Sequence, residues 1–504
     1  MTAATASDAP GATLDELTFD NRFGELPERF YTRLTPTPLP DAWLVDASPD
    51  AAALLGLADA RLDREALRRV CGGETTPRGA DPLAMPYAGH QFGSYVPQLG
   101  DGRAVLLGQV RVPSGALWDV QLKGAGLTPY SRFADGRAVL RSCIREYLVS
   151  EAMAALGIPT TRALAVAGSS LDVHRETVEP GAAMIRLARS HVRFGHFEYF
   201  YYRQDFEAVR LLADHVIEEH HPDLVGAPGR YHRWLQRVSD ATAALVAQWQ
   251  TVGFVHGVMN TDNMSVLGET IDYGPYAFME AYDPRFCPNH TDHGGRYAYD
   301  NQGPIAQWNV SRLLQACLPL LADSPEEAVE VGTAILDTFE TAWHAGWLAG
   351  FRAKLGLTGV DEDADDRALA EDLLARMAAS GADFTNTFRV LSAVDAVRSA
   401  GDERFLDEFA DRDAAADWLA RWRRRLALEP DGDAERQRAM RAVNPAYVLR
   451  AHMAQRAIER AAAGDGSEVA RLRTCLRRPY DERPEFAAYT RPGESERIIL
   501  SCSS

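Results

Sequence analysis

The feature that most narrows the possible folds is a change of hydrophobic period near residue 205. Before it, apolar residues come in short strand-like runs: AVLLGQVRV (104–112), LWDVQLKG (117–124), RALAVAG (162–168) and AAMIRLA (182–188). One helical stretch interrupts them, at about 138–156, where Leu140, Ile144 and Leu148 recur every four residues. After residue 205 the pattern is almost wholly helical, over 205–220, 229–253, 304–322, 325–355, 366–379, 384–400, 403–427 and 434–464. This order predicts an α+β chain with a strand-rich lobe over 81–200 and a helical lobe over 201–430. Residues 1–80 read as an N-terminal extension, with the first 13 small, polar and expected to be disordered. Residues 431–504 read as a C-terminal helical extension ending in a Cys-Ser-Ser tail. No internal repeat is visible.

Charge and cysteine content exclude several classes of function. There are 71 acidic against 53 basic side chains, a formal net charge of −18. Such a surface argues against a general nucleic-acid or anionic-membrane partner, because both want clustered cations. Six cysteines without a CxxC pair make neither a disulfide scaffold nor a structural zinc site. The first basic residue, Arg22, follows four acidic ones, unlike a signal or transit peptide. The uncharged run 241–261 holds Gln248, Gln250, His256 and Asn260 and does not read as a membrane span. A soluble cytoplasmic protein is expected.

The cations themselves are uneven. Lys123 and Lys354 are the two lysines among the 53 basic residues; the other 51 are arginine. Where arginine is the default, a retained lysine marks a place that needs a compact ammonium instead of a planar fork. Lys354 reads as a surface residue closing a helix at its negative dipole end. Lys123 ends a strand pattern that runs into glycines, and Glu146 lies on the next helix. A strand lysine followed by a helix glutamate is how kinase-like folds hold nucleotide phosphates.

Two further patterns match that layout. In QLGDGRA (98–104), Gly100 and Gly102 precede Arg103 at a turn where backbone amides could approach phosphate oxygens, although a tight hairpin reads the same way. In 254–275, His256 and Asn263 stand seven positions apart, as in the kinase H-R-D-x-x-x-x-N motif, and Asp272-Tyr273-Gly274 stands where D-F-G would supply a metal-binding carboxylate. The kinase's catalytic aspartate position is Val258, and the carboxylate has moved to Asp262. VLGETI (266–271) reads as a hairpin. Arg186 and Arg193, near the junction of the lobes, read either as cleft cations or as surface arginines. His290 and His293 read as a loop, and the acidic run 360–366 as a solvated helix start.

With these motifs assembled, the chain resembles selenoprotein O and its bacterial cysteine-containing relatives, a pseudokinase-fold group. The resemblance runs from about residue 15 to the C-terminus, on YAGHQFG (87–93), QLGDGRA (98–104), QLKGAGLTPYSRFADGRAVLRSCIREYL (121–148), HGVMNTDNMS (256–265), DYGP (272–275) and the Cys502-Ser503-Ser504 tail. It implies a protein-kinase-like two-lobed fold and protein adenylylation, in which AMP moves from ATP to Ser, Thr or Tyr hydroxyls of other proteins and pyrophosphate leaves. It further implies that Gly100, Gly102, Arg103, Asp135 and Gly136 contact the nucleotide. Lys123 would hold phosphates and pair with Glu146, Arg186 and Arg193 would line the pocket for an inverted nucleotide, Asn263 and Asp272 would hold Mg²⁺ or Mn²⁺, and Asp262 would be the catalytic base. A UTP preference, a kinase-like transfer of the γ-phosphate, and a silent nucleotide-binding scaffold are the competing readings.

Cys287 lies 15 positions after Asp272, in the segment corresponding to a kinase activation loop, and Cys502 lies two residues before the end of the sequence. A redox switch linking the two is expected. Cys143 and Cys317 sit in helical patterns and read as packing residues.

Overall fold

The computed structural model describes residues 13–57, 62–358, 363–399 and 401–493. The strands are β1 (Thr32–Arg33), β2 (Trp43–Ala47), β3 (Leu83–Ala84), β4 (Gly89–Gln91), β5 (Ser94–Val96), β6 (Ala104–Arg111), β7 (Leu117–Lys123), β8 (Ala138–Val139), β9 (Arg162–His174), β10 (Val178–Ala188), β11 (Phe254–Val255) and β12 (Ala277–Phe278). Eight of them form one sheet in the order β1-β3-β6-β7-β10-β9-β2, with β8 also paired to β10. The pairings are antiparallel. Both edge strands of that order come from residues before 81, so the N-terminal segment completes the sheet.

The sheet is buried on both faces, which is why its strands read as near-continuous apolar runs. Val105, Leu107, Val120, Leu122, Ile185 and Leu187 join one core cluster. Leu106, Ala163, Val166 and Met184 join another, on the opposite face. Strand side chains alternate between faces. Asp119, Gln121 and Lys123 therefore share a face opposite Val120 and Leu122, and Arg186 shares that face with Met184.

The helices are α1 (Pro49–Leu54), α2 (Arg64–Cys71), α3 (Leu140–Ala155), α4 (Phe194–Tyr201), α5 (Phe206–His220), α6 (Arg230–Thr251), α7 (Gln302–Cys317), α8 (Pro325–Leu355), α9 (Asp363–Ser380), α10 (Phe384–Leu391), α11 (Asp402–Leu406), α12 (Arg412–Leu426), α13 (Asp433–Val443), α14 (Ala451–Ala462) and α15 (Ser467–Leu476). The long periods over 205–220, 229–253 and 325–355 became α5, α6 and α8. The stretch 403–427 is broken into α11 and α12, where Asp411 accepts the Ala414 N–H and caps the second helix. The stretch 434–464 is broken after Asn444 by Pro445, which cannot continue a helix. Cys143 and Cys317 are fully buried, in α3 and α7.

One core cluster runs from the sheet through α3 into α5, α6 and α7, and takes in α14 and α15 as well. The C-terminal helices thus return to the strand-rich part of the chain. Arg473 of α15 donates to Asp46 of β2 at 2.8 Å, and the Tyr480 hydroxyl donates to the Leu156 carbonyl at 3.2 Å. A second core joins α9, α10, α12 and Met440 of α13. Among the described residues, no helix is long and apolar enough to cross a membrane.

Two readings need correction here. Lys354 is in the last turn of α8, but it is buried, with its ammonium 4.3 Å from the Phe388 ring centroid and 5.5 Å from that of Phe384. The acidic run 360–366 is not a solvated helix start at its far end. Asp366 is buried and pairs with Arg425 at 2.6 Å and Arg352 at 3.1 Å. Residues 360–362 of that run lie outside the described residues.

Candidate active site

A cleft of about 580 Å³ opens between the sheet and the loops that follow β11. Its inner wall is built by period-two geometry. Lys123 ends β7, and Arg186 lies opposite Gln121 across the β7–β10 ladder. Behind Lys123 stands α3, which turns Glu146 inward at 1% exposure; apolar periodicity alone left that direction open. The Lys123 ammonium pairs with one Glu146 oxygen. The other Glu146 oxygen accepts from Arg186 at 3.1 Å. Arg186 also donates to Gln121 at 3.1 Å and to Asp272 Oδ1.

The opposite wall comes from 258–275. Asp272 takes the left-handed conformation at φ +57°, a strained state for a residue other than glycine, and it brings the carboxylate onto the two arginines. Arg186 holds Oδ1 and Arg193 holds Oδ2. Arg193 also donates to the Asp262 carbonyl at 2.8 Å and lies 4.8 Å from the Tyr87 ring centroid. Lys123, Glu146, Arg186, Asp272 and Arg193 thus form one continuous chain of alternating charge, buried except at Asp272, whose side chain is 23% exposed in the cleft. Burial alone would push the Asp272 carboxyl up, but the Arg193, Arg186 and Lys123 charges outweigh it and hold it well below the usual carboxylate range. Asp262 is the reverse. Burial pushes it up to about 7, against the pull of Arg193 and a hydrogen bond from Gln91. Two carboxylates in one cleft are driven apart by their surroundings.

Gly100, Gly102, Arg103, Lys123, Gly136, Arg186, Arg193, Asp262, Asn263 and Asp272 all line this cleft. Glu146 does not line it and acts from behind Lys123. Asp135 does not line it either. Its carboxylate accepts from Arg175 at 2.8 Å and 3.1 Å and from the Arg137 N–H at 2.9 Å, bracing the loop beside Gly136. Gly100, at φ +116°, is required by packing, since a Cβ there would meet the Tyr130 side chain at 2.7 Å. The segment 266–271 forms no strands; it is tied down by single bridges from Thr270 to Thr160 and to Met264. His290 and His293 lie in the loop between β12 and α7. Cys287 is half-buried, with its thiol donating to Asp292 Oδ2 at 3.4 Å. Cys502 lies outside the described residues.

Several residues in or behind the cleft went unremarked in the sequence. Gln121 has the same parity as Lys123 in an alternating strand, a signal that was available. Asp101, between the two glycines, lines the cleft, and burial pushes its carboxyl up to about 6. Arg132, Arg137 and Arg175 also line it, but nothing separates them by sequence from the other arginines. Gln91 and Tyr87 lay within a quoted motif without a role.

The oxygen donors suit a hard divalent ion. Asp272 supplies a carboxylate. The Asn263 amide N–H₂ donates to the Val258 carbonyl at 3.0 Å, leaving its carbonyl oxygen for another partner. Asp262 Oδ1 is buried without a hydrogen bond. Among the described residues, no group of three or more His, Cys, Asp or Glu is arranged as a metal cluster.

A strand-rich part, a helical part, and between them a cleft joining a strand lysine, a helix glutamate and the aspartate of the Asp272-Tyr273-Gly274 turn define the class: a kinase-like α+β protein with a charged cleft. The family model described as protein adenylyltransferase SelO matches residues 13–477, and the chain belongs to that family. It is similar to the protein nucleotidyltransferase YdiU of Thiobacillus denitrificans, 50% identical over 497 residues covering 98% of this chain and 100% of that relative. It is also similar to the YdiU proteins of Myxococcus xanthus, 49% identical over 98% of this chain and 100% of the relative, and of Rhizobium etli, 48% identical over 99% of each.

Proposed function

We propose that the protein is a nucleotidyltransferase that moves AMP from ATP onto Ser, Thr or Tyr hydroxyls of other proteins and releases pyrophosphate. The observation that carries this reading is that three buried cations line one cleft beside Asp262 and Asn263: Arg186 and Arg193 pair with Asp272, and Lys123 pairs with Glu146. Family membership supports it. A nucleoside triphosphate brings several negative charges, and its cleavage at the α-phosphorus leaves more on pyrophosphate. Fixed cations lining the cleft stabilise that charge without covalent chemistry.

In this reading Lys123 is held by Glu146 as a point charge for phosphate oxygens. Arg186 and Arg193, which pair with Asp272 here, serve the phosphates of an inverted nucleotide. Gly100, Gly102, Arg103, Asp135 and Gly136 belong to the loops that hold it. Asn263 and Asp272 would hold Mg²⁺ or Mn²⁺, which supplies Lewis-acid charge on the phosphate oxygens when bound. Asp262 takes the proton of the attacking hydroxyl. The net charge of −18 fits protein substrates better than nucleic acid, and a cytoplasmic location belongs to the same reading.

The test is product identity. Purified protein is incubated with Mg²⁺ or Mn²⁺ and ATP labelled at the α- or the γ-phosphate, or with labelled UTP. Protein-bound α-label from ATP, abolished by chelation, is the expected product. Preferential transfer from UTP, transfer of γ-label, or no transfer marks the competing readings. The Cys287–Cys502 switch is a separate proposal. Peptide mapping of oxidised protein is expected to show a linked pair that dithiothreitol removes, and no linked peptide would sink it.

A further inference from the structure

The hairpin of β4 and β5 pairs with neither of the other sheets. It turns tightly at Phe92, φ +50°, and Gly93, φ +84°. What it touches is the loop that carries Asp262. The His90 N–H donates to Thr261 Oγ1 at 2.7 Å. The Phe92 N–H donates to the Tyr297 hydroxyl at 2.9 Å, and that hydroxyl donates to Asn260 Oδ1 at 2.6 Å. His90 Nδ1 lies 2.8 Å from Glu198 Oε1, and the Thr261 hydroxyl donates to Glu198 Oε2 at 2.7 Å. The hairpin is therefore pinned to the two residues that precede Asp262.

Residues two apart on a strand face the same way, and on β4 these are Gly89 and Gln91. A Cβ on Gly89 would stand 2.6 Å from Asp262 Oδ1, so the bare backbone forms a wall against that oxygen. Gln91 Nε2 donates to Asp262 Oδ2 at 3.2 Å. Oδ1 is buried with no hydrogen-bond partner. The torsion that sets a carboxylate's plane is broad and weakly determined by sterics alone. Here a wall on one oxygen and a donor on the other define it.

We propose that Gln91 is a positioning residue for Asp262. Its amide N–H fixes the plane of the carboxylate so that the oxygen receiving the substrate proton is already aimed when the hydroxyl arrives. This rests on the reading of Asp262 as the base. In the step itself the substrate O–H bond breaks and its proton passes to the Asp262 carboxylate. The hydroxyl oxygen bonds to the α-phosphorus, and the bond to pyrophosphate breaks with its electron pair leaving on pyrophosphate. Gln91 gives and takes no proton. It acts before the step, through orientation, where a misplacement of about 1 Å costs on the order of 10²-fold in rate.

The experiment compares the parent, Gln91→Met, Gln91→Glu, Asp262→Ala and the Gln91→Met/Asp262→Ala double variant for nucleotide transfer and for calorimetric ATP binding with Mg²⁺. Methionine keeps the length and removes the donor; glutamate keeps the shape and faces Asp262 with an acceptor. The expected result is a kcat about 10- to 100-fold lower in Gln91→Met, at least as low in Gln91→Glu, with KM for the nucleotide, its affinity and the Tm held near the parent's. On the Asp262→Ala background, Gln91→Met should cost nothing further, because the two act as a unit. Parental kcat in Gln91→Met overturns the proposal. So does a loss of nucleotide affinity in step with kcat, or an equal further loss on the Asp262→Ala background. A parent that transfers no nucleotide, scored independently of the variants, overturns the nucleotidyl-transfer reading beneath it.

Discussion

Position 123 is one of two where this arginine-rich chain keeps a lysine, and its ammonium is held against Glu146 at the wall of the cleft. The side chain is 5% exposed, and Glu146 already receives Arg186 on its other oxygen. Lys123→Arg should therefore lower transfer by about 10-fold or more although the charge is kept, because a planar fork cannot sit as a point charge between a carboxylate and phosphate oxygens. Transfer at the parental rate would show that the Lys123–Glu146 pair is structural. The two aspartates should separate by assay. Asp272→Ala is expected to abolish metal-dependent ATP binding in calorimetry. Asp262→Ala should keep that binding and lose about 10²–10⁴-fold in transfer, the range for a missing general base. Equal loss of binding in both would make Asp262 a ligand. Lys123, Gly100, Gly102, Asp262, Asn263 and Asp272 were legible because each stood at a fixed spacing within a patterned segment. The inward turn of Glu146 was not, because it sits two positions from the apolar residues of its helix. Lys354 was misread because a helix's last turn is usually exposed, and only the packing of α10 against α8 buries it.

Among the elements, α8 carries the most testable consequence of that misreading. Burial pushes the Lys354 ammonium down to about 7, from an ordinary value of 10.5. The unfolded chain keeps its proton up to the higher value, so between the two the unfolded state binds more protons and stability rises with pH. The cost of burying this lysine is fully present below pH 7 and fades as pH rises toward 10.5. Lys354→Met should raise Tm, and by more at about pH 6 than at about pH 9. A gain independent of pH would mean that the lysine is not carrying a burial penalty. Long helices such as α5, α6 and α8 were visible from period alone, because each buries one continuous stripe. The short helix α4 was not. Its FGHFEYFY is nearly all buried and has no polar face to reveal a period. The hairpin β4–β5 escaped notice for a related reason: its fixing contacts are made to residues 260, 261 and 297, more than 160 positions away.

Over the whole molecule, the two-lobed order of strands then helices follows from the change of period, but the return of α14 and α15 onto α3 does not. That packing depends on which apolar faces are left uncovered after the sheet and α3 have met, and one sequence does not show this. It closes a single core from β10 through α3 to Leu472. The same global arrangement sets the buried charge chain from Lys123 to Arg193. Removing Arg193 takes one of the two arginines from Asp272 and leaves Arg186 as its partner, a loss of about 1.5–3 kcal/mol for a hydrogen bond to a charged group. Arg193→Ala should accordingly lower Tm as well as transfer, whereas Arg193→Lys should recover much of the stability but little of the transfer. Calorimetric unfolding beside the transfer assay would separate the two losses, and an Arg193→Ala protein with parental Tm would contradict the buried chain. The central claim is that this cleft delivers the α-phosphoryl end of ATP to a protein hydroxyl. Parallel incubations with α-labelled and γ-labelled ATP, followed by mass spectrometry of the labelled protein, test it most directly. The account predicts α-label and an added AMP on a Ser, Thr or Tyr side chain, lost in Asp262→Ala. Transfer of γ-label with an added phosphate, or no adduct from either nucleotide, would contradict it.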